Sequence, residues 1–208
     1  MKENKRTEAL AQPRFVTISE PMNSLAFDVL AFWFGTSAEA RDVWFRKDAA
    51  FDAAIRDRFG AAVDAAIDGA FEEWCDEPRG AVACVLLLDQ FTRNIYRDTP
   101  RAFAGDARAL AIAQATVDAG EDTALDKYER WFLYMPYEHA EDPAAQQRSI
   151  ALFTRLRDES GLDGQLEWAE KHAAIIRRFG RFPHRNAILG RPSTDDEIAF
   201  LQGPGSRF

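Results

Sequence analysis

The chain has 208 residues, of which 47% are hydrophobic, and its 26 basic and 34 acidic side chains give a net charge of −8. This composition allows a buried core in one domain or in a short array of repeats, and the sixteen Phe and five Trp exclude disorder over most of the length. The acidic balance argues against a general nucleic-acid binder. The polar N-terminus does not resemble a secretory signal, and the longest apolar run, Ala81–Leu88, is too short to cross a membrane. We therefore expect a soluble cytoplasmic protein with no membrane partner.

In the first half of the chain, a loose polar arm is predicted over residues 1–20, before a single domain over 21–208. Apolar residues at helical spacing then predict four helices, over 23–34, 48–59, 61–74 and 79–91. Asn23 caps the first helix, and Gly35 and Gly60 are predicted to end the first and second. The fourth helix is apolar on nearly all sides and is therefore expected to be central.

The second half of the chain predicts further helices with short links. They follow Thr99–Pro100, cover 125–134 up to Pro136, run from 142 to about 159 and from 163 or 164 to 179, and begin again at Thr194. No segment shows the alternation of a strand. We predict an all-α fold of eight to nine helices in antiparallel pairs, as a bundle or a tetratricopeptide-like superhelical array. The tetratricopeptide signature does not recur at its usual period, so both architectures remain open.

The stretch Lys171–Arg191 concentrates positive charge in this acidic protein. It holds one Lys, five Arg and two of the three His, with no Asp or Glu, so the other residues together carry −14. Arginine forks match carboxylates and phosphates equally well. This basic segment therefore binds either the chain's own carboxylates or an external anion.

Two further polar clusters interrupt the apolar pattern, over 89–97 and 134–142. Asp89 at the end of the central helix needs a cation or hydrogen-bond donors to offset its desolvation. Arg93 lies four residues later and pairs with Asp89 if the helix continues. Glu138 and His139 form an adjacent acid/base couple, although neighbouring helical residues point in different directions.

Metal and cofactor sites are not predicted. His139, His172 and His184 all lie in or beside the polar clusters, but no compact ligand spacing is present and the arginines would repel a cation. No Walker loop, dinucleotide-binding turn or nucleophile elbow occurs. Cys75 and Cys84 form no C-x-x-C pair and are expected to be buried, reduced thiols.

The sequence resembles a known family in three blocks, LLLDQFTRNIYR, RWFLYMPYEHAED and HAAIIRRFGRFPHRNAILGRPST. In order and spacing they are similar to the signature blocks of the domain of unknown function 924 family of uncharacterised bacterial proteins. The similarity extends from about Leu25 to Leu201, with departures at Thr92, where the family usually has proline, and at Ala140, where it usually has serine. The resemblance implies a tetratricopeptide-like all-α fold, but it assigns no reaction, so whether the chain is an enzyme remains open.

The candidate ligand-binding residues are those that occupy the motif positions of this family: Asp89, Arg93, Asn94, Glu138, His139, Arg178, Arg181, His184, Arg185 and Asn186. No catalytic residue is assigned among them.

Three functions are compatible with these residues. The first is a helical scaffold with an internal polar pocket whose arginines bind a small anionic ligand or an acidic peptide. The second is a hydrolase or isomerase that uses His139 or His184 as acid/base, with arginines holding the substrate. The third is an ion-pair network that only fixes the register of the helices. The oligomeric state is not predicted.

Overall fold

A computed structural model of the protein describes residues 23–35 and 41–206, and the predicted arm over 1–20 lies outside them. The described residues are helical, with no strand among them. The α-helices are α1 Ser24–Phe34, α2 Ala49–Ile67, α3 Pro78–Val85, α4 Thr92–Ile95, α5 Asp106–Asp118, α6 Lys127–His139, α7 Pro143–Ser160, α8 Gln165–Phe179 and α9 Asp195–Leu201. Short 3₁₀ helices cover Asp42–Trp44, Glu72–Asp76, Pro100–Phe103, Glu121–Ala124 and Pro183–Arg185.

The central helical segment is continuous over 78–95, because a π-helix, Leu86–Phe91, joins α3 directly to α4. Counted as one helix, this segment gives eight α-helices in the described part of the chain, which confirms the predicted all-α class. The segment packs against α1, α2, α5 and α6, while α7 packs against both α6 and α8. The tetratricopeptide-like superhelical order stays a prediction.

Several helix ends lie where the local signals predict them. The Asn23 side chain accepts a hydrogen bond from the Leu25 N–H at 2.9 Å, and Gly35 ends α1 with a φ of +69°. Thr194 and Glu197 form the predicted capping box of α9. These ends are set by residues next to one another in sequence, so they are predictable.

The predicted end at Gly60 is wrong, because α2 continues through this glycine to Ile67. Phe59 and Val63 are buried on either side of it. Their burial outweighs the cost of about 1 kcal/mol for a glycine inside a helix.

The predicted stop at Pro136 is also wrong, because α6 continues to His139 with this proline inside it. The buried side chain of Gln146 on α7 caps the end of the helix. Its amide donates to the carbonyls of Glu138 at 2.7 Å and Ala140 at 2.8 Å. The next helix therefore supplies the hydrogen-bond donor for the carbonyls at the end of α6, which the local sequence does not provide.

Most buried apolar residues belong to one core, which includes Trp33 and Phe132, whose rings meet edge to face at 5.3 Å. A smaller apolar cluster at the C-terminal end contains Ile175, Ile176 and Phe182. Polar side chains connect the two clusters, and they form the candidate site. Within the described part of the chain, no helix is long and apolar enough to cross a membrane.

Candidate functional site

Asp89 lies on the π-helix and is completely buried. Its carboxylate contacts His139 Nδ1 at 2.7 Å and the Arg93 guanidinium at 3.1 Å, and it accepts a hydrogen bond from the Gln90 amide at 2.5 Å. Burial opposes ionisation, but Arg93, His139 and Gln90 together outweigh it and hold the pKa of Asp89 below its usual value. The predicted pairing of Asp89 with Arg93 is confirmed.

Asp106, the first residue of α5, joins this site from a distant part of the chain. Arg93 donates to both of its carboxylate oxygens, at 2.8 and 3.0 Å. A Cβ added at Gly105 would lie 2.3 Å from the Leu88 carbonyl oxygen. Glycine at this position therefore lets α5 begin directly against the π-helix, with Asp106 at its positive end.

Arg185 is buried on the 3₁₀ helix Pro183–Arg185, and its guanidinium lies over the rings of Phe103 and Phe182, at 4.8 and 4.6 Å. Its ion contact is a long one, 3.3 Å to the Asp106 carboxylate, and its Nε has no hydrogen-bond partner within the described residues. Burial, together with the nearby Arg93, lowers the pKa of Arg185 to about 10, so it stays charged at neutral pH. Within the described residues, Asp106 is therefore the carboxylate that this guanidinium contacts, and the contact involves one of its five N–H donors.

Glu138 and His172 form a buried neutral pair. Oε1 of Glu138 lies 3.2 Å from Nδ1 of His172, which itself lies 2.8 Å from the Trp168 carbonyl oxygen. Burial and the charge of Asp89 raise the pKa of Glu138 to about 8, while burial and the neighbouring His139 lower the pKa of His172 to about 3. At neutral pH this contact is therefore not an ion pair, and Glu138 retains a proton that it can donate.

The other two histidines are also neutral. Burial lowers the pKa of His139, and the attraction of Asp89 offsets only part of this effect. Burial and the adjacent Arg185 charge lower the pKa of His184 to about 4. A neutral imidazole has one N–H donor and one acceptor nitrogen, so these rings can exchange protons or hydrogen bonds with a ligand.

We call this set of neighbouring charged and titratable side chains the polar layer: Asp89, Arg93, Asp106, Glu138, His139, His172, His184 and Arg185. Six of the ten candidate residues belong to it. Neither His172 nor Asp106 was among the candidates. The sequence gives no specific signal for Asp106. A Gly-Asp pair at a helix start is common, and tertiary packing decides that Arg93 is its partner.

The amide candidates lie outside the polar layer. Asn94 donates to Asp52 at 2.7 Å, on the side of α4 that faces α2, where Arg97 also binds this carboxylate. Asn186 is fully buried and donates to the Ser193 hydroxyl at 3.0 Å. Both amides hold neighbouring chain segments together.

Two of the arginine candidates also lie elsewhere. Arg181 donates to both carboxylate oxygens of Glu197 on α9, at 2.6 and 2.8 Å. Arg178 is exposed and its guanidinium lies over the rings of Phe179 and Phe200. The structure therefore divides the basic segment into outer arginines and one inner arginine, Arg185.

Glu141 anchors the start of the C-terminal segment, residues 180–206. It binds Arg191 through both oxygens, at 2.5 and 2.8 Å, and accepts the Phe182 N–H at 2.7 Å. The hydrogen bonds outweigh burial and keep the pKa of Glu141 below its usual value. These contacts place Arg185 beside Asp106.

The chain is similar to uncharacterised bacterial proteins. A family model described as a bacterial protein of unknown function, DUF924, matches residues 29–205. The chain belongs to this family. A solved structure of a protein of unknown function from Agrobacterium tumefaciens is 42% identical, with a TM-score of 0.78, and the match covers 86% of this chain and 98% of that one. No curated protein matches the chain.

Thr92, one of the two departures from the usual DUF924 sequence, is fully buried at the end of the π-helix. Its hydroxyl donates to the Leu88 carbonyl at 2.8 Å, which a proline there could not do. The helical segment continues to Ile95 and so carries Arg93 into contact with both Asp89 and Asp106. The departure is compatible with the site.

Another buried acid, Asp122, lies outside the polar layer and was not among the candidates. It accepts hydrogen bonds from the Tyr134 hydroxyl and from Arg155, and Arg130 contacts the same hydroxyl at 3.1 Å. No histidine takes part in these contacts. Within the described residues, no group of three or more His, Cys, Asp or Glu side chains is arranged to hold a metal ion.

Proposed function

We propose that this DUF924 protein binds a small anion of the carboxylate or phosphate class in the polar layer, with Arg185 as the principal cation. The observation that carries the proposal is the state of Arg185. It is buried and charged, yet it has one 3.3 Å contact to a carboxylate and an Nε without a partner in the described part of the chain. An oxyanion would provide the bidentate contact that this guanidinium lacks.

The charges of the polar layer restrict how such an anion binds. Asp89 and Asp106 balance Arg93 and Arg185, while Glu138 and the histidines are neutral at neutral pH. An added anion must therefore replace Asp106 at Arg185 or arrive with a proton. The long Arg185 contact is the one most readily exchanged, because Arg93 keeps both oxygens of Asp106 within 3.0 Å.

Access favours a small ligand over an acidic peptide. The side chains of Arg93 and Asp106 are each 21% exposed, whereas Arg185 retains 8% exposure. The polar layer therefore meets solvent at Arg93 and Asp106 and at the partly exposed His139 and His184, whereas Arg185 is buried. A compact anion can reach it with a side-chain rearrangement, whereas a polypeptide would require the C-terminal segment to move.

A thermal-shift series with inorganic phosphate, acetate, succinate and glycerol phosphate tests this proposal. We expect one of these anions to raise the Tm of the wild-type protein, by roughly 5–10 °C at a hundredfold excess over Kd. Arg185→Gln should lose this increase. Arg178→Gln removes an exposed arginine of the same basic segment, outside the polar layer, and should retain it. Equal shifts in the two variants, or none in the wild type, would contradict the proposal.

A second candidate function, acid/base catalysis, is favoured by the contact between Asp89 and His139 Nδ1 at 2.7 Å. An ionised carboxylate at Nδ1 fixes the tautomer of the ring and leaves Nε2 to accept a proton. Glu138, with its pKa raised to about 8, is suited to donate one. The same residues could therefore isomerise or hydrolyse an anion held by Arg185.

NMR of any ligand found in the thermal-shift series distinguishes binding from catalysis. Catalysis predicts that the wild-type protein changes the ligand, or exchanges its acidic protons for deuterium, and that His139→Gln binds the ligand without doing so. A ligand that remains unchanged with the wild-type protein would leave binding as the function of the site.

A further inference from the structure

The fold brings the two cysteines together outside the polar layer, on two neighbouring helical segments. Gly80 and Cys84 are four residues apart and so share one face of α3. A Cβ at Gly80 would lie 2.0 Å from the Trp74 carbonyl oxygen, so this face lies directly against the 3₁₀ helix Glu72–Asp76, which carries Cys75. The two thiols are therefore neighbours, close enough for each to change the pKa of the other.

The two thiols differ in accessibility. Cys84 is buried, and its Sγ donates to the Phe71 carbonyl at 3.4 Å. Cys75 is only partly buried, which corrects the expectation of two buried thiols. It lines an open cleft of about 400 Å³ between the 3₁₀ helix Glu72–Asp76 and α5, which we call the thiol cleft.

Arg108 also lines the thiol cleft, where it provides a fixed positive charge. Its guanidinium donates to the Gly69 carbonyl at 2.9 Å and to the Ala66 carbonyl, and it stays 4.0 Å from the Glu72 carboxylate. Backbone carbonyls therefore hold this cation in the wall of the cleft, whose other charged lining residues are Glu72 and Glu121. A cation beside an accessible thiol favours the thiolate, which is the reactive form.

We propose that Cys75 is a peroxide-reactive thiol and that Cys84 is its resolving partner, so that a small hydroperoxide entering the thiol cleft closes an intramolecular disulfide. The proposal is independent of the anion-binding function, because the thiol cleft and the polar layer share no residue. In this oxidation site the Cys75 thiol is accessible from the cleft, and the Cys84 thiol is buried next to it.

The chemistry consists of two displacements. The Cys75 thiolate attacks the terminal oxygen of the hydroperoxide, so that an S–O bond forms, the O–O bond breaks, and the alkoxide or hydroxide leaves and takes a proton. Cys84 sulfur then attacks the sulfenic acid sulfur, so that the S–S bond forms and the S–O bond breaks. The hydroxide that leaves takes the Cys84 proton and becomes water. The two thiols lose two electrons in total, and the peroxide gains them.

The acidities of the two thiols agree with these roles. The neighbouring Cys84 thiol, and then the charge of Arg108, hold the pKa of Cys75 below its usual value, although burial and the nearby Asp76 and Glu72 oppose them. The same thiol–thiol contact and burial raise the pKa of Cys84. Cys75 also lines the open thiol cleft whereas Cys84 is buried, so Cys75 is the thiol that a peroxide reaches first.

Peptide mapping after treatment with hydrogen peroxide tests the proposal. Trypsin cleavage after Arg58, Arg79 and Arg93 places the cysteines in separate peptides, 59–79 and 80–93. We expect a stoichiometric excess of peroxide to remove both free thiols from the folded monomer and to join these two peptides. A dithiol should release them again. Oxidation only between two chains, or two thiols that persist in excess peroxide, would overturn the proposal.

Three variants assign the roles. Cys84→Ser should stop at the sulfenic acid of Cys75, which dimedone traps, whereas Cys75→Ser should leave Cys84 unoxidised. Arg108→Gln should slow the first oxidation by roughly threefold to tenfold, because the cation no longer favours the thiolate. Arg148→Gln, an exposed arginine outside the thiol cleft, is its control. Equal trapping of the two cysteines in the single variants would show that neither acts as the resolving thiol.

Discussion

The helices up to α7 share one apolar core, whereas the C-terminal segment is attached mainly through arginines and carboxylates. In the helical part, residues such as Trp33 and Phe132 are completely buried. In the C-terminal segment, Phe182 is fully buried, and the ionic connections to the rest of the chain include Arg185 to Asp106 and Arg191 to Glu141. Apolar burial is non-directional, but an ionic attachment must be oriented and can be exchanged for a ligand.

The arginines of this attachment are not equivalent. Arg181 and Arg191 each bind a carboxylate through two hydrogen bonds: Arg191 joins the segment to Glu141, and Arg181 binds Glu197 within the segment. Arg185 is the more deeply buried, yet it has the weaker contact. The comparison therefore separates arginines with two close carboxylate contacts from Arg185, for which we propose anion binding, and five substitutions test it.

The largest effect should come from the apolar core. Trp33→Ala removes a fully buried ring that packs against Phe91 and Phe132, at 5.5 and 5.3 Å. We expect the free energy of unfolding to fall by about 3–5 kcal/mol, measured by urea denaturation. The loss should be the same with and without added anions, since the polar layer does not depend on this ring.

Asp106→Ala should have the next largest effect. It leaves the Arg93 and Arg185 guanidinium groups without their shared carboxylate, and we expect a loss of about 2–3 kcal/mol in the free energy of unfolding. Acetate should restore part of the lost stability by occupying the vacated position, which the Tm of the variant at increasing acetate concentration would report. The wild-type protein in matched sodium chloride and sodium acetate is the control. An acetate effect no larger than that of chloride would show that the position does not accept an external anion.

Glu138→Gln should change the pH dependence of stability. The pKa of Glu138 is raised from 4.5 to about 8 by folding, so its contribution is complete below about pH 4.5 and is lost as the pH rises towards 8. Folding lowers the pKa of His172 and of His184 from 6.5. These two groups therefore change the free energy of unfolding in the opposite direction, and only below that pH. Between pH 6.5 and 8 the wild-type free energy of unfolding should therefore fall by about 2 kcal/mol.

The matched measurement is urea denaturation of the wild-type protein and of Glu138→Gln at several pH values in this interval. The variant should show a nearly flat profile, because glutamine does not ionise. If the two profiles fall in parallel, Glu138 is already ionised in the folded protein, and its assignment as a neutral acid is wrong.

The smallest effects should distinguish the outer arginines. Arg181→Ala breaks the two hydrogen bonds to Glu197, but its side chain is 28% exposed, so we expect a smaller loss in the free energy of unfolding than for Asp106→Ala. Arg178→Ala, at an exposed position, should change the free energy of unfolding by less than about 0.5 kcal/mol. A larger loss for Arg178→Ala would mean that its contacts with Phe179 and Phe200 hold α8 and α9 together.

Local sequence determined most helix positions. Asn23, Gly35, Thr194 and Glu197 form caps from residues that are close in the chain, so their signals are complete in the sequence. The ends at Gly60 and Pro136 could not be predicted in this way, because burial on both sides of Gly60 and the Gln146 side chain from the next helix override the local preferences.

For the candidate site, the sequence by itself determined which polar clusters interrupt the apolar pattern, and that Asp89 required a cation. Only the tertiary structure decided which arginine occupies the interior. Arg181 and Arg185 have the same chemistry and lie four residues apart, but Glu197 binds the first and the second reaches Asp106. The closeness of Cys75 and Cys84 was likewise decided by the packing of Gly80 against Trp74. Side-chain chemistry is encoded locally, whereas burial and the choice of partner depend on residues far apart in the chain.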